Sequence, residues 1–487
     1  MKNKTLKRDL ITLLILSVFF VAAMFVFSCY TSPLYPNYFG WDSAIFSLLG
    51  KGMLAGKELY TELFDHKGPV IFAIDALGHF IGGRSGIFVL QCLSGIITLC
   101  FLYFTGKMLR PKGDYKWAIE AVFLLLCTGG VLFYTMESGN LTEEYSLPFI
   151  SCACYFFAKY AINAKDDPKH PKAWAVVYGA AFAVLSLLRL NNAITVMAGV
   201  FAILVYLIYR KQYINLLWNL LFGLIGILIV YIPTFTYFYL NSSLNEMIYA
   251  TFNHNFIIVG NTGHVPVLHS PKTFVILYFP MLVSFLLIGL KIIRERKFEC
   301  VDWILLFILV MNTLNLWVAN RFLHYFEIFV PVYCVILCRY ISFKPRSLVM
   351  WLTLLFTLYY SYSAVQYTLP KYEEVHVQGN TRYTCVAEDM AKIPEEERDS
   401  VIGYEIMAMD YMAGDIVPCY KYYTLQSTWA ITTPHILPDF MNYVKTEKPL
   451  WVLTAVEETG TDLDSILQDA YTLQFENPYV YFYRLAD

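Results

Sequence analysis

Residues 38–75 read YFGWDSAIFSLLGKGMLAGKELYTELFDHKGPVIFAID, and the rest of the chain is organised around this stretch. It follows the first apolar segment and contains Asp42, an amphipathic run, and the cluster Asp65-His66-Lys67-Gly68-Pro69. Charged residues beside a bilayer are costly, so an apolar chain that concentrates them in one loop is expected to use them. The stretch is therefore the first candidate for a functional site.

The same stretch predicts two short helices. Apolar residues recur at helical spacing between Asp42 and Ala55, which predicts a helix with Asp42 or Ser43 as its N-cap. A second helix is expected from Pro69 to about Phe80, with the proline in its first turn. Short amphipathic helices next to a membrane span typically lie in the plane of the membrane.

The composition is that of a multi-pass membrane protein. Of the 487 residues, 57% are hydrophobic and 15% are charged, whereas a soluble domain has about 25% charged residues. No basic face of the kind that binds nucleic acid is indicated. Eleven apolar segments are long enough to cross a bilayer. They lie near residues 9–29, 84–106, 117–136, 143–162, 173–190, 192–209, 214–240, 272–293, 301–319, 322–340 and 347–364.

The charges of the loops predict the orientation in the cell membrane. With the N-terminus in the cytoplasm, the cytoplasmic loops hold 21 Lys and Arg residues and the opposite loops hold 7. This asymmetry satisfies the positive-inside rule. It places residues 30–84, residues 241–271 and the C-terminal region on the outer side.

Residues 365–487 are expected to form a separate extracytoplasmic domain. Their net charge is −12, whereas residues 1–364, the predicted transmembrane domain, carry +10. Strand-like and helix-like runs alternate in it, which predicts a small α/β domain. The strand-like runs are 400–406, 448–456 and 479–485, and the helix-like runs are 381–393, 437–447 and 462–471. Cys385 and Cys419 could form a disulfide outside the cell.

Four stretches resemble a known family. They are GWDSAIF at 40–46, YTELFDHKGPVIF at 60–72, RFLHYFEIFVP at 321–331 and SVIGYEIMAMDYMAGDIVPCYKYYTLQ at 400–426. Their order and common sidedness look like the GT-C glycosyltransferases of the protein-mannosyltransferase type, which include the lipid A aminoarabinose transferases. The resemblance covers the whole chain. The fold class that it implies is an α-helical GT-C membrane domain with juxtamembrane helices in its first outer loop.

The resemblance also implies a chemistry. Such enzymes transfer a sugar, with inversion, from a polyprenyl-phosphate carrier to an acceptor hydroxyl or phosphate at the outer face. The acceptor, whether glycan, lipid or protein, cannot be read from the sequence. Many relatives carry two adjacent acids at the catalytic position, whereas here Ser43 follows Asp42. The second acid is therefore unassigned.

Asp42 is the candidate catalytic residue. An inverting transfer needs a base that takes the proton of the acceptor, and a positioned carboxylate supplies one. The alternative is that Asp42 only caps the helix that follows it.

The leaving phosphate needs cationic groups, and two clusters offer them. Lys67, with His66 beside it, is the first candidate, because lysine binds phosphate as a point charge. Arg321, His324 and Tyr325 begin a late span, and the arginine and histidine share one helical face. The alternatives are a lysine that snorkels to the lipid headgroups and a second cluster that anchors its span at the interface.

Four further residues are candidates. Asp65 could orient the neighbouring lysine or hold a metal ion, and Glu143 or Glu144 could supply the second acid or bind a cation. The alternative for the two glutamates is a pair of solvated carboxylates at a helix start. Arg189 ends a span at the outer surface, where an arginine is either functional or an anchor.

The loop 241–271 contains three histidines, a residue type that binds metal ions. Its three histidines, His254, His264 and His269, show no standard metal-site spacing. A loop this long more often serves as a mobile lid. The sequence assigns no cofactor, and a divalent cation is the one candidate.

The sequence is also compatible with a second class of function. Eleven spans and an outer domain also suit a polysaccharide polymerase or a lipid-linked sugar transporter (flippase). A transporter typically has charged or helix-breaking residues at mid-membrane, in paired broken spans. The notable residues here lie at the outer ends of the predicted spans, which favours an enzyme that acts at the membrane surface.

Overall fold

The computed structural model describes residues 2–110, 114–255, 271–318, 322–342, 347–456 and 462–486. These residues are mainly helical, with one four-stranded sheet. The chain divides into two compact units, each built from several segments. The first unit comprises residues 1–28, 89–236 and 264–368, and the second comprises residues 29–88, 237–263 and 369–487.

The elements follow one another in this order along the chain. The helices are α1 (Lys2–Phe27), α2 (Trp41–Leu54), α3 (Pro69–Leu109), α4 (Asp114–Thr135), α5 (Thr142–Asn163), α6 (Lys172–Leu188), α7 (Ile194–Tyr209), α8 (Tyr213–Leu240), α9 (Leu244–Ile248), α10 (Pro271–Glu295), α11 (Cys300–Val318), α12 (Val330–Tyr340), α13 (Leu348–His376), α14 (Thr381–Met390), α15 (Ala408–Gly414), α16 (Gln426–Thr432), α17 (Ile436–Glu447) and α18 (Asp462–Ala470). The strands are β1 (Val401–Tyr404), β2 (Trp451–Ala455), β3 (Tyr471–Glu476) and β4 (Val480–Leu485). Turns of 3₁₀-helix precede α7 (Leu190–Ala193), α12 (Leu323–Phe329) and β1 (Glu395–Ser400).

Each of the eleven predicted spans coincides with a helix. Within the described residues, nine helical stretches are long and apolar enough to cross a bilayer. The two predicted spans outside this set are α5, which has two glutamates in its first turn, and α6, which has 17 residues. The chain is a multi-pass membrane protein.

The first unit is a bundle of helices around one apolar core. The core is lined by large buried side chains such as Trp117, Tyr103 and Phe157. α8 leaves most of its apolar side chains exposed, including Leu217 and Leu221. Such a face is expected where a helix meets lipid rather than protein.

The second unit contains the sheet, in the order β1-β2-β4-β3. β1 pairs parallel with β2, and the other pairs are antiparallel. Each strand-like run predicted in this region contains a strand, and each helix-like run contains a helix. β3 was not predicted, because five of its six residues are not buried and it shows no apolar alternation. Cys385 and Cys419 are both free, so the proposed disulfide is not formed.

The two short helices predicted in residues 38–80 are confirmed as α2 and the first part of α3. α3 breaks at Gly82 and Gly83, whose backbone angles are not helical. Gly83 has a φ of 62°, in the region that favours glycine. The break therefore separates the short helix that begins at Pro69 from the span that follows.

α6 and α8 approach each other closely at glycines in the first unit. A Cβ atom added to Gly179 would overlap the backbone carbonyl of Gly223, and one added to Gly226 would overlap the carbonyl of Val176. Small residues at such crossings let helix backbones come into contact within a membrane.

We expect Gly179→Ala to destabilise the protein by about 1–3 kcal/mol, because backbone atoms cannot yield to the new methyl group. The measurement is the thermal unfolding midpoint of purified protein in detergent. Gly289→Ala in α10 is the matched control, since nothing lies within 4 Å of its added Cβ. Its midpoint should be unchanged or higher, because alanine has the better helix propensity. Equal midpoints for the two variants would contradict the close crossing.

Candidate functional site

Asp42 lies in the first turn of α2. The N-cap is Gly40, which makes no side-chain cap, and the helix begins at Trp41. The prediction that Asp42 or Ser43 caps this helix is therefore wrong by two or three residues. Position 40 requires glycine, because an added Cβ atom would overlap the ring of Tyr30. A carboxylate in the first helical turn is still favoured by the helix dipole.

The chain that leads into α2 is held by one arginine. Arg84 directly follows the glycine break in α3, and its guanidinium donates to four backbone carbonyls. These are the carbonyls of Tyr30 and Cys29, at 2.7 Å each, Tyr38 at 3.0 Å and Ser32 at 3.2 Å. Residues 29–38 therefore have a fixed path up to the start of α2.

Lys67 is buried, with 6% of its surface exposed. Its ammonium lies 3.1 Å from Nε2 of His66 and 5.6 Å from the centre of the Phe46 ring. Its backbone is also held, because its N–H donates to Oδ1 of Asp65 at 2.8 Å and its carbonyl accepts from the Tyr60 hydroxyl at 2.9 Å. Within the part of the chain that the structure describes, no carboxylate lies within ion-pair distance of the ammonium.

Asp42 and the residue that Lys67 contacts, Phe46, both belong to α2. Phe46 is four residues after Asp42, so both side chains lie on one side of the helix. The Lys67 ammonium stands over the Phe46 ring. Phe46 therefore links the two residues: the Lys67 ammonium contacts its ring, and Asp42 lies one helical turn before it.

Aromatic rings enclose the cluster that contains Lys67. The His66 ring lies 4.9 Å from Trp429 and 5.9 Å from His254, between ring centroids. The Asn255 side chain donates to the carbonyl of His66 at 2.9 Å. His254 is fully buried, and burial, together with the charge of Lys67, lowers its pKa to about 4. His254 is therefore neutral at physiological pH and adds no charge to the site.

A second cluster lies in the first unit, around Arg189. Arg189 has an extended backbone at the end of α6, before the 3₁₀ segment Leu190–Ala193. Its guanidinium is 3.2 Å from Oε1 of Glu143, donates to the Tyr325 hydroxyl and stacks 4.0 Å above the Tyr325 ring. His324 pairs with Glu137 in the same unit. Among the other predicted residues, Arg321, His264 and His269 lie outside the described residues.

Glu143 and Glu144 are buried, with 1% and 7% exposure. The alternative of solvated carboxylates at a helix start is therefore wrong. Glu143 also accepts from the Thr142 hydroxyl at 2.9 Å. Glu144 accepts from Gln91 at 2.6 Å and from the backbone N–H of Asn140 at 2.8 Å. Each carboxylate thus holds neighbouring side-chain or backbone groups in place through hydrogen bonds.

The turn before α5 has an unusual backbone. Four consecutive residues have positive φ, namely Glu137 (46°), Ser138 (81°), Gly139 (88°) and Asn140 (59°). Such angles are costly for residues other than glycine and persist where the surroundings impose them. Here Glu144 holds the N–H of Asn140, and the Tyr145 hydroxyl donates to its side chain at 2.9 Å. Strain of this kind concentrates at functional sites.

Glu327 was missed as a site residue. It is fully buried, and neither carboxylate oxygen has a hydrogen-bond partner among the described residues. Glu143, Glu144 and Glu137 are the acids whose charges act on it. The available signal was a single acid within the apolar run LHYFEIFVP, because an ionisable residue in a span is a functional candidate.

The fold is similar to that of solved membrane-protein structures. The structure is similar to a crystal structure of ArnT from Cupriavidus metallidurans bound to undecaprenyl phosphate, with a TM-score of 0.62 and 13% identity over 96% of this chain and 97% of that chain. It is also similar to the apo ArnT structure from the same organism, with a TM-score of 0.54 and 12% identity over the same shares. The fold is that of the GT-C membrane transferases, as the four sequence stretches predict.

The family is shown separately. Residues 2–350 match the family described as "Putative competence-induced protein Ccs4 N-terminal domain". The chain belongs to this family. A comparison with curated protein sequences finds no match.

The neutral His254 predicts acid sensitivity. An unfolded histidine binds a proton near pH 6.5, whereas folded His254 does so only near pH 4. The unfolded state therefore binds more protons between these values, and stability should fall as pH drops from 6.5 to 4. We expect His254→Phe to flatten this dependence of the thermal midpoint.

The control for His254 is His435→Phe. The His435 side chain is 57% exposed, so the wild-type dependence on pH should be retained. An unchanged acid dependence in His254→Phe would contradict the buried neutral state.

Glu327→Gln should leave the thermal midpoint unchanged or raise it, because a neutral amide is cheaper to bury than an unpaired carboxylate. We expect catalytic turnover to fall at least about tenfold if the carboxyl is retained for function. The control is Asp302→Asn, since Asp302 is equally buried but is paired with Lys291 and accepts from the Tyr340 hydroxyl at 2.6 Å. That change should lower the midpoint. A large loss of stability in Glu327→Gln would assign Glu327 a structural role.

Proposed function

We propose that the protein is an inverting glycosyltransferase that moves a sugar from a polyprenyl-phosphate carrier to an acceptor at the outer face of the membrane. The observation that carries the proposal is the buried ammonium of Lys67. It has no carboxylate partner among the described residues and lies over the ring of Phe46, one helical turn after Asp42 in α2. A buried cation of this kind is stabilised when an anion binds beside it.

Lys67 is the preferred phosphate ligand for an electrostatic reason. Arg189 is neutralised by Glu143, and His324 is paired with Glu137. Among the described residues, the Lys67 ammonium contacts the His66 ring nitrogen and the face of the Phe46 ring. We propose His324 and Tyr325 as further contacts of the donor phosphate. The undecaprenyl phosphate bound to the similar ArnT structure supports a lipid-phosphate donor.

The proposed step is a single displacement. The acceptor oxygen attacks the anomeric carbon of the sugar while its proton passes to the carboxylate of Asp42. The bond from that carbon to the phosphate oxygen breaks with inversion, and polyprenyl phosphate leaves with its negative charge next to Lys67. A positioned base contributes roughly 10²–10⁴-fold to such a rate.

The second acid is still unassigned. Asp65 is buried and holds the backbone of Lys67, so it positions the lysine. Glu143 pairs with Arg189, and Glu144 accepts hydrogen bonds from Gln91 and from the backbone N–H of Asn140. Within the described ranges, no three His, Cys, Asp or Glu side chains are grouped to hold a metal ion. We assign the proposed chemistry to Asp42 as the base and Lys67 as the phosphate ligand.

A transfer assay in proteoliposomes with a panel of polyprenyl-phosphate sugars tests the proposal. Asp42→Asn should lower turnover by about 10²–10⁴-fold, because it removes the base and keeps the shape. Lys67→Met should raise the KM for the donor and lower kcat, because the leaving phosphate loses its cation.

Lys57→Met is the matched control in the same assay. Lys57 is a lysine of the same loop that pairs with Glu62 at the surface, so this variant should retain wild-type rates. Undiminished turnover in Asp42→Asn would contradict the general-base role. An unchanged donor KM and kcat in Lys67→Met would contradict the phosphate site.

A further inference from the structure

A polar cleft of about 260 Å³ opens within the second unit, beside the start of α2. Its volume is just below the range of about 300–1,000 Å³ for small-molecule sites. Three parts of the unit form it: the loop before α2, the end of α13 with the start of α14, and α15. The side chains that matter are Tyr38, Trp41, Glu374, Asn380, Arg382 and Tyr383.

The walls of the cleft are held by hydrogen bonds between these parts. The Tyr38 hydroxyl donates to Oε2 of Glu374 at 3.2 Å, and the Asn380 side chain donates to the carbonyl of Asn37 at 2.6 Å. Arg382 binds Asp410 through two nitrogens, at 3.0 and 2.8 Å. The cleft is thus formed before any ligand binds, which lowers the entropic cost of binding.

Several groups in the cleft are left for a ligand. The Trp41 side chain is 58% exposed, an unusual position for a large aromatic ring outside the lipid-facing helices. Oε1 of Glu374, Oδ1 of Asn380 and the Tyr383 hydroxyl have no hydrogen-bond partner among the described residues. They amount to two acceptors and one group that both donates and accepts.

The charges of the cleft favour a neutral ligand. Arg382 is already neutralised by Asp410 in a two-point ion pair. Glu374 then leaves the cleft with a net negative charge, which repels phosphate and carboxylate. An exposed indole offers an apolar face, and the oxygen groups around it match hydroxyls. A sugar ring combines one apolar face with a rim of hydroxyls.

We propose that this cleft binds a neutral saccharide unit of the acceptor. The inference rests on the proposed function, because Trp41 directly precedes the proposed base Asp42 in the first turn of α2. A sugar stacked on Trp41 would bind at the same end of α2 as that base. The acceptor class is therefore a glycan or glycolipid that binds through a sugar, and the donor phosphate binds at Lys67.

Binding is tested with the full-length protein in lipid nanodiscs by saturation-transfer NMR. The probes are glucose, galactose, N-acetylglucosamine, N-acetylgalactosamine and rhamnose, with glucose 1-phosphate as the charged comparison. We expect signal from at least one neutral sugar, and at least about tenfold weaker signal in Trp41→Ala. Glu374→Gln, which should preserve the fold, is expected to weaken the same signal and to improve binding of glucose 1-phosphate.

Controls separate this site from general sugar binding and from catalysis. Trp351→Ala removes another exposed tryptophan (53% exposed) from α13, outside the cleft, and should leave the signal unchanged. Asp42→Asn should abolish transfer and leave sugar binding intact. In the transfer assay, Trp41→Ala should raise the KM for the acceptor at least about fivefold.

Any of three binding results would overturn the inference, namely that no neutral sugar binds the wild type, that the signal is unchanged in Trp41→Ala, or that glucose 1-phosphate binds better than glucose, and so would an unchanged KM for the acceptor in Trp41→Ala. Failure of the transfer assay with every donor would contradict the proposed function alone, because the NMR signal does not depend on catalysis. Sugar binding with a normal acceptor KM in Trp41→Ala would place the acceptor site elsewhere.

Discussion

The candidate site depends on the contact between Arg84 and the four carbonyls that precede α2. A guanidinium has five donors in a fixed plane, and Arg84 uses them on the carbonyls of Cys29, Tyr30, Ser32 and Tyr38. Hydrogen bonds to a charged group contribute about 1.5–3 kcal/mol each, more than neutral ones. The glycine break immediately before Arg84 lets the chain turn so that this arginine reaches the loop. The start of α2, and with it Asp42 and Trp41, is therefore positioned by a residue outside the proposed chemistry.

The second constraint is the cost of burying Lys67. An ammonium out of water needs a counter-charge or strong acceptors. Here it has one imidazole nitrogen and an aromatic face, while the nearby Asp65 carboxylate binds backbone instead. Arg189 shows the opposite arrangement, since it is paired with Glu143 and with Tyr325. A bound anion is therefore stabilised more by the charge of Lys67 than by the paired charge of Arg189, and the two cations have different proposed roles.

The sequence predicted the helices well and the contacts between them poorly. The length of the apolar segments placed the eleven spans, the helical spacing of apolar residues placed α2, and Pro69 placed the first part of α3. The start of α2 was misplaced, because the N-cap is Gly40, which has no capping side chain that a sequence pattern could reveal. Arg84 was counted only as a loop charge, because its partners lie 46 to 55 residues earlier in the chain. Residue type nominated Lys67 and Asp42, but only the structure relates them through Phe46.

Buried acids in the first unit separate into two kinds. Asp302 is matched by Lys291, the Tyr340 hydroxyl and a backbone N–H, so its burial stabilises the bundle. Glu327 is as deeply buried but has no hydrogen-bond partner among the described residues, and it feels the charges of three other glutamates. A chain selected for stability alone would replace such a group with an apolar one, because well-packed apolar residues commonly do better than unpaired buried charge. The buried carboxyl of Glu327 therefore costs stability, and we expect its role to lie in function rather than in folding.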